Sequence, residues 1–304
     1  MVRILSLLLF AVCSANALAA GSAVDIDTAG AVYLAAGLRE QVSASLPSMP
    51  RKMRQLFASE SSNKLSEQQL DAVTAAAKRG FRIDAFEPLA LAAFAANLDS
   101  ATVAKSLAFL RSATGRRMVE ADIALAELDE ATIDKVTAGR LVAPSTPARD
   151  ALFAKLEQAA DSTRAAVQIY LTIGRAVAVG TAMGSGLDLA EAQQRVGKTG
   201  PTAPADELAR SMQVPLGRYL AYGYRDLSRA DLQKILAFLQ SKAGKTYVHA
   251  YIAAMSAGFD AMGRRCGERI GESWREIALA QARDRMLGAP AADTAPPPAP
   301  APVP

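Results

Sequence analysis

The chain is poor in the residues that most often carry chemistry. Its 304 residues include two cysteines, one histidine and one tryptophan, and aromatic residues make up only 6%. A single histidine, His249, with no Cys, Asp or Glu at ligand spacing is a poor start for a zinc site or a histidine-centred triad. It reads as an ordinary helical residue. No G-x-S-x-G, H-E-x-x-H or C-x-x-C is present, so the sequence offers no nucleophile elbow, zincin helix or redox pair. Gly197-Lys198-Thr199 resembles the end of a phosphate loop, but Ala192 stands where the upstream glycine belongs and no strand precedes it. No cofactor, metal or catalytic residue is therefore assigned. Alternating β-branched and aromatic runs are also almost absent, which argues against sheets. Charge names no partner either: 34 basic against 30 acidic residues leave +4.

What the chain does have is helix-forming material, with 51% hydrophobic residues spaced mostly at helical intervals. Residues 1–19 read as a secretory leader, with Arg3, an apolar run from Ile4 to Val12 and an Ala17-Leu18-Ala19 cleavage site. Phe10-Ala11-Val12 before Cys13 is a poor lipobox. Beyond the leader only Cys266 remains, so no intramolecular disulfide can form; it reads as a buried structural thiol, although Arg264, Arg265 and Arg269 could activate it. The expected setting is exported, periplasmic or secreted, where nucleic acid is not a partner. Residues 288–304, an Ala/Pro-rich run ending PPPAPAPVP, cannot build a core and read as a disordered tail.

Between these ends the chain repeats itself. LDSATVAKSLAFLRSATGRRMVEA (98–121) and LSRADLQKILAFLQSKAGKTYVHA (227–250) lie a constant 129 positions apart and share 11 of 24 residues without a gap. In the second copy Leu232, Ile235, Leu236 and Leu239 follow i, i+3, i+4, i+7, one face of a helix. Each copy then reads S-x-x-G followed by a base: Ser112, Gly115 and Arg116, then Ser241, Gly244 and Lys245. The serine breaks the first helix and caps a second, and the glycine in that second helix's first turn permits close approach. Phe109 and Phe238 precede the two breaks at matching positions. The fold predicted is all-α: two tandem helix-kink-helix units packed as a multi-helix bundle, residues 20–141 and 148–287, joined by the linker 142–147 (VAPSTP).

The A-F-L-x-S-x-x-G-[RK] pattern of both copies resembles the F-Y-x-S-P-x-G-K signature of an exported bacterial helical family catalogued as a domain of unknown function. Leu110 and Leu239 replace its tyrosine, Ala113 and Lys242 its proline. The resemblance implies an exported helical protein and carries over no catalytic residue.

The punctuation elsewhere predicts a helix from Ala31 to Ser45, one from Arg51 to Ser59, one capped by the Ser66/Gln69 box and ended by Gly80, one opening at Pro88, and one capped by Asp129. Ala165–Leu187 is apolar enough to suggest a membrane span. Arg175 at its centre and four glycines favour a core helix instead, so no transmembrane segment is expected in the mature chain. Val196–Asp206 reads as a loop, and the helix after it as kinked or split at Pro215. In the last helix, from about Lys245 to Leu287, Gly263, Gly267 and Gly271 recur every four residues and line one face. That stripe fits internal packing, with a homodimer contact as the alternative. Carboxylate pairs such as Asp84/Glu87 and Glu268/Glu272 read as solvated faces. The function expected is a non-enzymatic binding or interaction scaffold of the cell envelope, its partners envelope proteins or the acidic envelope surface, to which the basic residues at the kinks are suited. The alternatives are a carrier of a small apolar ligand and a helical hydrolase using carboxylates the sequence does not identify.

Overall fold

The computed structural model describes residues 24–60, 65–199 and 205–287; the expected leader and tail lie outside them. The described residues are mostly helical, with no strand among them. The first half contributes α1 (Ile26–Ala35), α2 (Leu38–Ser45), α3 (Met49–Glu60), α4 (Glu67–Gly80), α5 (Ile83–Ala96), α6 (Ser100–Leu110), α7 (Ala113–Ala126) and α8 (Glu130–Thr137). The second contributes α9 (Pro147–Ala160), α10 (Ser162–Gly184), α11 (Leu189–Thr199), α12 (Ala205–Gly223), α13 (Arg229–Gln240) and α14 (Lys242–Met286).

Helix starts follow the capping chemistry of the sequence. Asp99, Ser112, Asp129, Ser228 and Ser241 each accept a hydrogen bond from the backbone N–H three residues on, and Ser66 and Gln69 form a reciprocal capping box. The expected single helix over Ala31–Ser45 is instead α1 and α2. Gly37 breaks it at φ 63°, with Val119 and Ile123 of α7 filling the space where a side chain would project. The helix expected to open at Pro88 begins at Ile83, so the proline falls in its second turn. α12 is assigned helical from Ala205 to Gly223, across Pro215. The loop expected at Val196–Asp206 is partly helical too: Asp188 caps α11 through the Glu191 N–H at 2.8 Å. Ala192 and Val196 then hold α11 down on α10 by burying against it.

The halves do not stand apart. One core cluster runs from Ala29 to Ile270 and draws on both. Pairing across the linker is crosswise: α5 and α6 of the first half pack on α14 of the second, while α12 and α13 of the second pack on α7 of the first. Exchanging α1, α2, α5, α6 and α7 for α9, α10, α12, α13 and α14 maps each of these contacts onto another that is present. α1–α6 answers α9–α13, and α2–α7 answers α10–α14. The halves differ in two places. Between the second and third exchanged helices the first half carries α3 and α4 and the second carries α11. Where α7 stops at Ala126, α14 runs on for 45 residues in all, roughly 67 Å at the α-helical rise.

Among the described residues one helix, Ser162–Gly184, is long and apolar enough to cross a membrane. This is α10, and its small-residue face is packed on α14.

Candidate functional site

The residues singled out at the two kinks come together. Phe109 and Phe238 stack face to face, ring centroids 4.1 Å apart and planes 6° from parallel, and Tyr247 tilts against Phe238 at 5.8 Å. Behind each phenylalanine the break has the same build. Ser112 and Ser241 have backbone angles of −67°/162° and −67°/159°, and each hydroxyl accepts from the glycine N–H at 3.0 Å. A Cβ on Gly115 would lie 2.1 Å from the Phe109 carbonyl oxygen, and one on Gly244 1.9 Å from that of Phe238. The glycine is required because the new helix starts hard against a carbonyl in the last turn of the old one. Arg116 reaches back to the Arg111 carbonyl, and Lys245 is exposed.

One side of this crossing carries a polar lock. Asp231, buried, accepts from the Thr114 hydroxyl at 2.8 Å, from Arg117 at 2.9 Å and from Ser228 at 2.7 Å. These hydrogen bonds, Ser228's and Thr114's foremost, hold its carboxyl down at about 2.

The glycine stripe is an internal contact. Cβ atoms on Gly267 and Gly271 would fall 2.1 and 2.2 Å from the carbonyl oxygens of Val177 and Thr181 on α10. From the other side, Cβ atoms on Gly180 and Gly184 would meet those of Arg264 and Glu268 at 2.1 Å. Gly263 faces Ala176. Partner numbers rise together along both helices, so α10 and α14 run parallel, backbone on backbone. Each glycine turns a Cα–H toward a carbonyl across the interface. On the flank of this seam Gly80 abuts the backbone of Cys266. The thiol is fully buried, and burial pushes it up to about 12, opposite to activation by the neighbouring arginines.

Two further features were not predicted. The first is a buried carboxyl. Asp122 on α7 accepts from the Tyr224 hydroxyl at 2.9 Å beside Tyr247, Tyr251 and Gln41, around a void of only about 10 Å³. Tyr251 donates to Gln41 at 3.2 Å, and Gln41 to the Ala36 carbonyl at 2.9 Å. Desolvation raises the Asp122 pKa well above the usual carboxylate range. The void has room for about one water, so this node ties α2, α7, α14 and the turn after α12 together and admits no substrate.

The second is an open groove of about 680 Å³, well inside the range of ligand sites. Its floor is the α10 face next to the glycine seam, from Ile173 and Gly174 to Ala182 and Ser185. Met53, Leu56 and Phe57 of α3 form one wall, Arg195 and Val196 of α11 another, and Trp274 of α14 closes one end. Trp274 is fixed there: its ring meets Phe57 edge-on at 5.8 Å and its indole N–H donates to the Gln69 carbonyl at 3.3 Å. The hydroxyl protons of Thr181 and Ser185 go to the carbonyls of Val177 and Thr181, both at 2.8 Å. Among the described lining residues Arg195 alone carries a charge.

Another cleft, about 260 Å³ beside Arg117 and Arg225, has its carboxylates Glu120 and Asp226 out in solvent. Of the carboxylate pairs noted in the sequence, Asp84 pairs with Arg82, Glu87 faces Arg39 and Glu272 pairs with Arg269. Among the described residues no cluster of three His, Cys, Asp or Glu side chains is placed to hold a metal. No protein-family model, curated protein or solved structure matches this chain.

Asp122 had a sequence signal. Met118, Asp122 and Leu125 are spaced i, i+4, i+7, which puts a carboxylate on an apolar stripe. The groove had none, since its lining comes from four helices spread over more than 220 positions.

Proposed function

We propose that the protein is an exported binding scaffold of the cell envelope, built from two duplicated helical units and presenting the groove at Trp274 to an apolar ligand. The leader-like residues 1–19 support export. The 129-residue repeat and the contact pattern that survives exchange of the halves support duplication. The observation that carries the binding reading is the groove itself: about 680 Å³ of open, mostly apolar space beside the tightly packed seam of α10 and α14. Its openness to solvent favours a scaffold that docks its ligand over an enclosed carrier.

The test uses the tryptophan count. Trp274 is the sole tryptophan and lines the groove, so its emission reports on occupancy. Nile red, a neutral apolar dye, should bind saturably and take energy from Trp274. Gly174→Leu should abolish this, because a Cβ at Gly174 meets nothing within 4 Å and the added side chain enters the groove rather than the core. Equal dye binding by that variant would remove the groove as the binding site.

A further inference from the structure

The basic residues of the two repeat copies, 129 positions apart in sequence, form one cluster in the fold. Residues 98–121 and 227–250 hold eight lysines and arginines against three carboxylates, which leaves the rest of the chain with 26 basic and 27 acidic residues. The whole positive surplus of the protein therefore sits in these two stretches. The stack of Phe109 on Phe238, 4.1 Å between centroids, brings them together. Lys105 and Lys234 each stand four residues before a stacked ring, on the same face of its helix. Arg111 and Arg116 follow one ring, Lys242 and Lys245 the other, all within seven positions. All six are exposed.

Little inside the protein answers this charge. Of the three carboxylates, Asp231 is buried and held by Thr114, Ser228 and Arg117, and Asp99 caps α6 beside Lys242. Only Glu120 is fully exposed. Among the described residues no carboxylate pairs with Lys105, Arg111, Arg116, Lys234 or Lys245. None of these five lines a cavity described above. Cations spread over two helix breaks fit an extended anionic surface better than one small anion. The helix alongside selects which surface. α1 packs on α6 and holds Ile26 and Leu34, eight residues apart on one face, 56% and 57% exposed. A soluble polyanion gains nothing from them, whereas the boundary between headgroups and acyl chains takes cations and apolar side chains together. We propose that the crossing of the two units docks on an anionic phospholipid bilayer, its lysines and arginines on the headgroup phosphates and Leu34 and Ile26 in the interface. The inference makes no use of the groove, and a failure of Nile red to bind would leave it standing.

The test sediments the purified chain with vesicles of phosphatidylcholine alone or with phosphatidylglycerol mixed in. Only the mixed vesicles should carry the protein down. Their hold should weaken as salt rises from about 0.01 M to about 0.15 M and the Debye length shrinks from about 30 Å to about 8 Å. Near an anionic surface each lysine or arginine is worth about fivefold in partitioning, so Lys105→Gln combined with Lys234→Gln should lower it about 25-fold. Lys78→Gln combined with Lys198→Gln makes the same change of net charge on α4 and α11, and should lower it by no more than about twofold. Leu34→Ser should weaken binding as well. All three variants should unfold at the temperature of the unaltered chain, because every altered side chain is exposed. The proposal is overturned by equal binding to both kinds of vesicle, by equal losses from the two lysine pairs, or by unchanged binding of Leu34→Ser. Binding to heparin without binding to vesicles would assign the cluster to a soluble polyanion and overturn it too.

Discussion

Two faces of α10 meet opposite fates. On one, Gly180 and Gly184 press against α14 so closely that any Cβ would lie about 2 Å from a carbonyl oxygen. On the neighbouring face, Gly174 looks into open space with no atom within 4 Å of where its Cβ would stand. One residue type on one helix marks both a seam with no room for a side chain and the floor of the open groove. The difference follows the architecture. The seam lies between helices that have counterparts in the other half. The groove is walled by α3 and α11, where the halves part company, with α10 as floor and the extension of α14 as end stop. Where α10 meets a helix with a counterpart in the other half, the two close backbone on backbone, and where the halves diverge the groove is left open.

The comparison breaks most sharply by putting leucine on both sides of it. Gly267→Leu drives a side chain into the Val177 carbonyl and the backbone of α10, neither of which can move without parting two helices. The loss should be at or above the roughly 3 kcal/mol upper range for overpacking, seen as a large fall in the denaturant midpoint. Gly174→Leu should lose nothing and gain up to about 1 kcal/mol from helix propensity. If the two variants unfold alike, the seam is not as tight as the geometry states.

Next in size is the lock at the crossing. Asp231→Ala leaves the buried Thr114 hydroxyl without its acceptor and frees Arg117, at a cost of about 2 kcal/mol. The pH dependence has a definite sign. The folded carboxyl titrates at about 2 and the unfolded one near 3.8, so its contribution is complete above pH 4 and is lost as pH falls through 2. Urea midpoints measured from pH 5 to pH 2 should therefore fall less steeply for Asp231→Asn than for the unaltered chain. Parallel slopes would mean that Asp231 is not the group responsible.

How much of this could be read from the residues divides along the same boundary. Caps are local, so Ser112, Ser241, Asp129 and the Ser66/Gln69 box were legible, as was the all-helical class. The four-residue spacing of Gly263, Gly267 and Gly271 showed a face but not its partner. α10 has glycines at 180 and 184 with the same spacing, but only the fold shows them to be the facing set. Gly37 was missed because a left-handed residue between two helical runs leaves their periodicity nearly intact. The groove was illegible for a stronger reason: an unfilled surface is a property of how helices fail to cover one another, and no residue in it looks unusual alone.

A smaller effect probes the centre of the crossing. Phe109 and Phe238 occupy equivalent positions in the repeat and stack on each other, so each singly replaced by alanine also removes the other's partner. A double-mutant cycle should return a coupling of about 1 kcal/mol, the usual excess of an aromatic pair over its area burial. Additivity within a few tenths would make the stack incidental to the way the units meet.

The last change concerns Asp122 and has the reverse sign to Asp231. Burial raises its pKa well above the usual carboxylate range in the folded chain, while the unfolded chain ionises it near 3.8. The folded state thus binds the extra proton, and stability must decline as pH rises above 4. Asp122→Asn keeps a carbonyl oxygen to accept from Tyr224 and removes the titration. The variant should match the unaltered chain at pH 4 and be the more stable by pH 7.5. That window lies below Lys52, whose burial sets it at about 8, and above the depressed carboxylates Asp25, Asp84, Asp99, Asp129 and Asp231. A variant less stable than the unaltered chain at pH 7.5 would mean that Asp122 is ionised in place. The node at Gln41, Tyr224 and Tyr251 would then be holding a charge rather than a neutral acid, and the crossing would have a second lock in addition to Asp231.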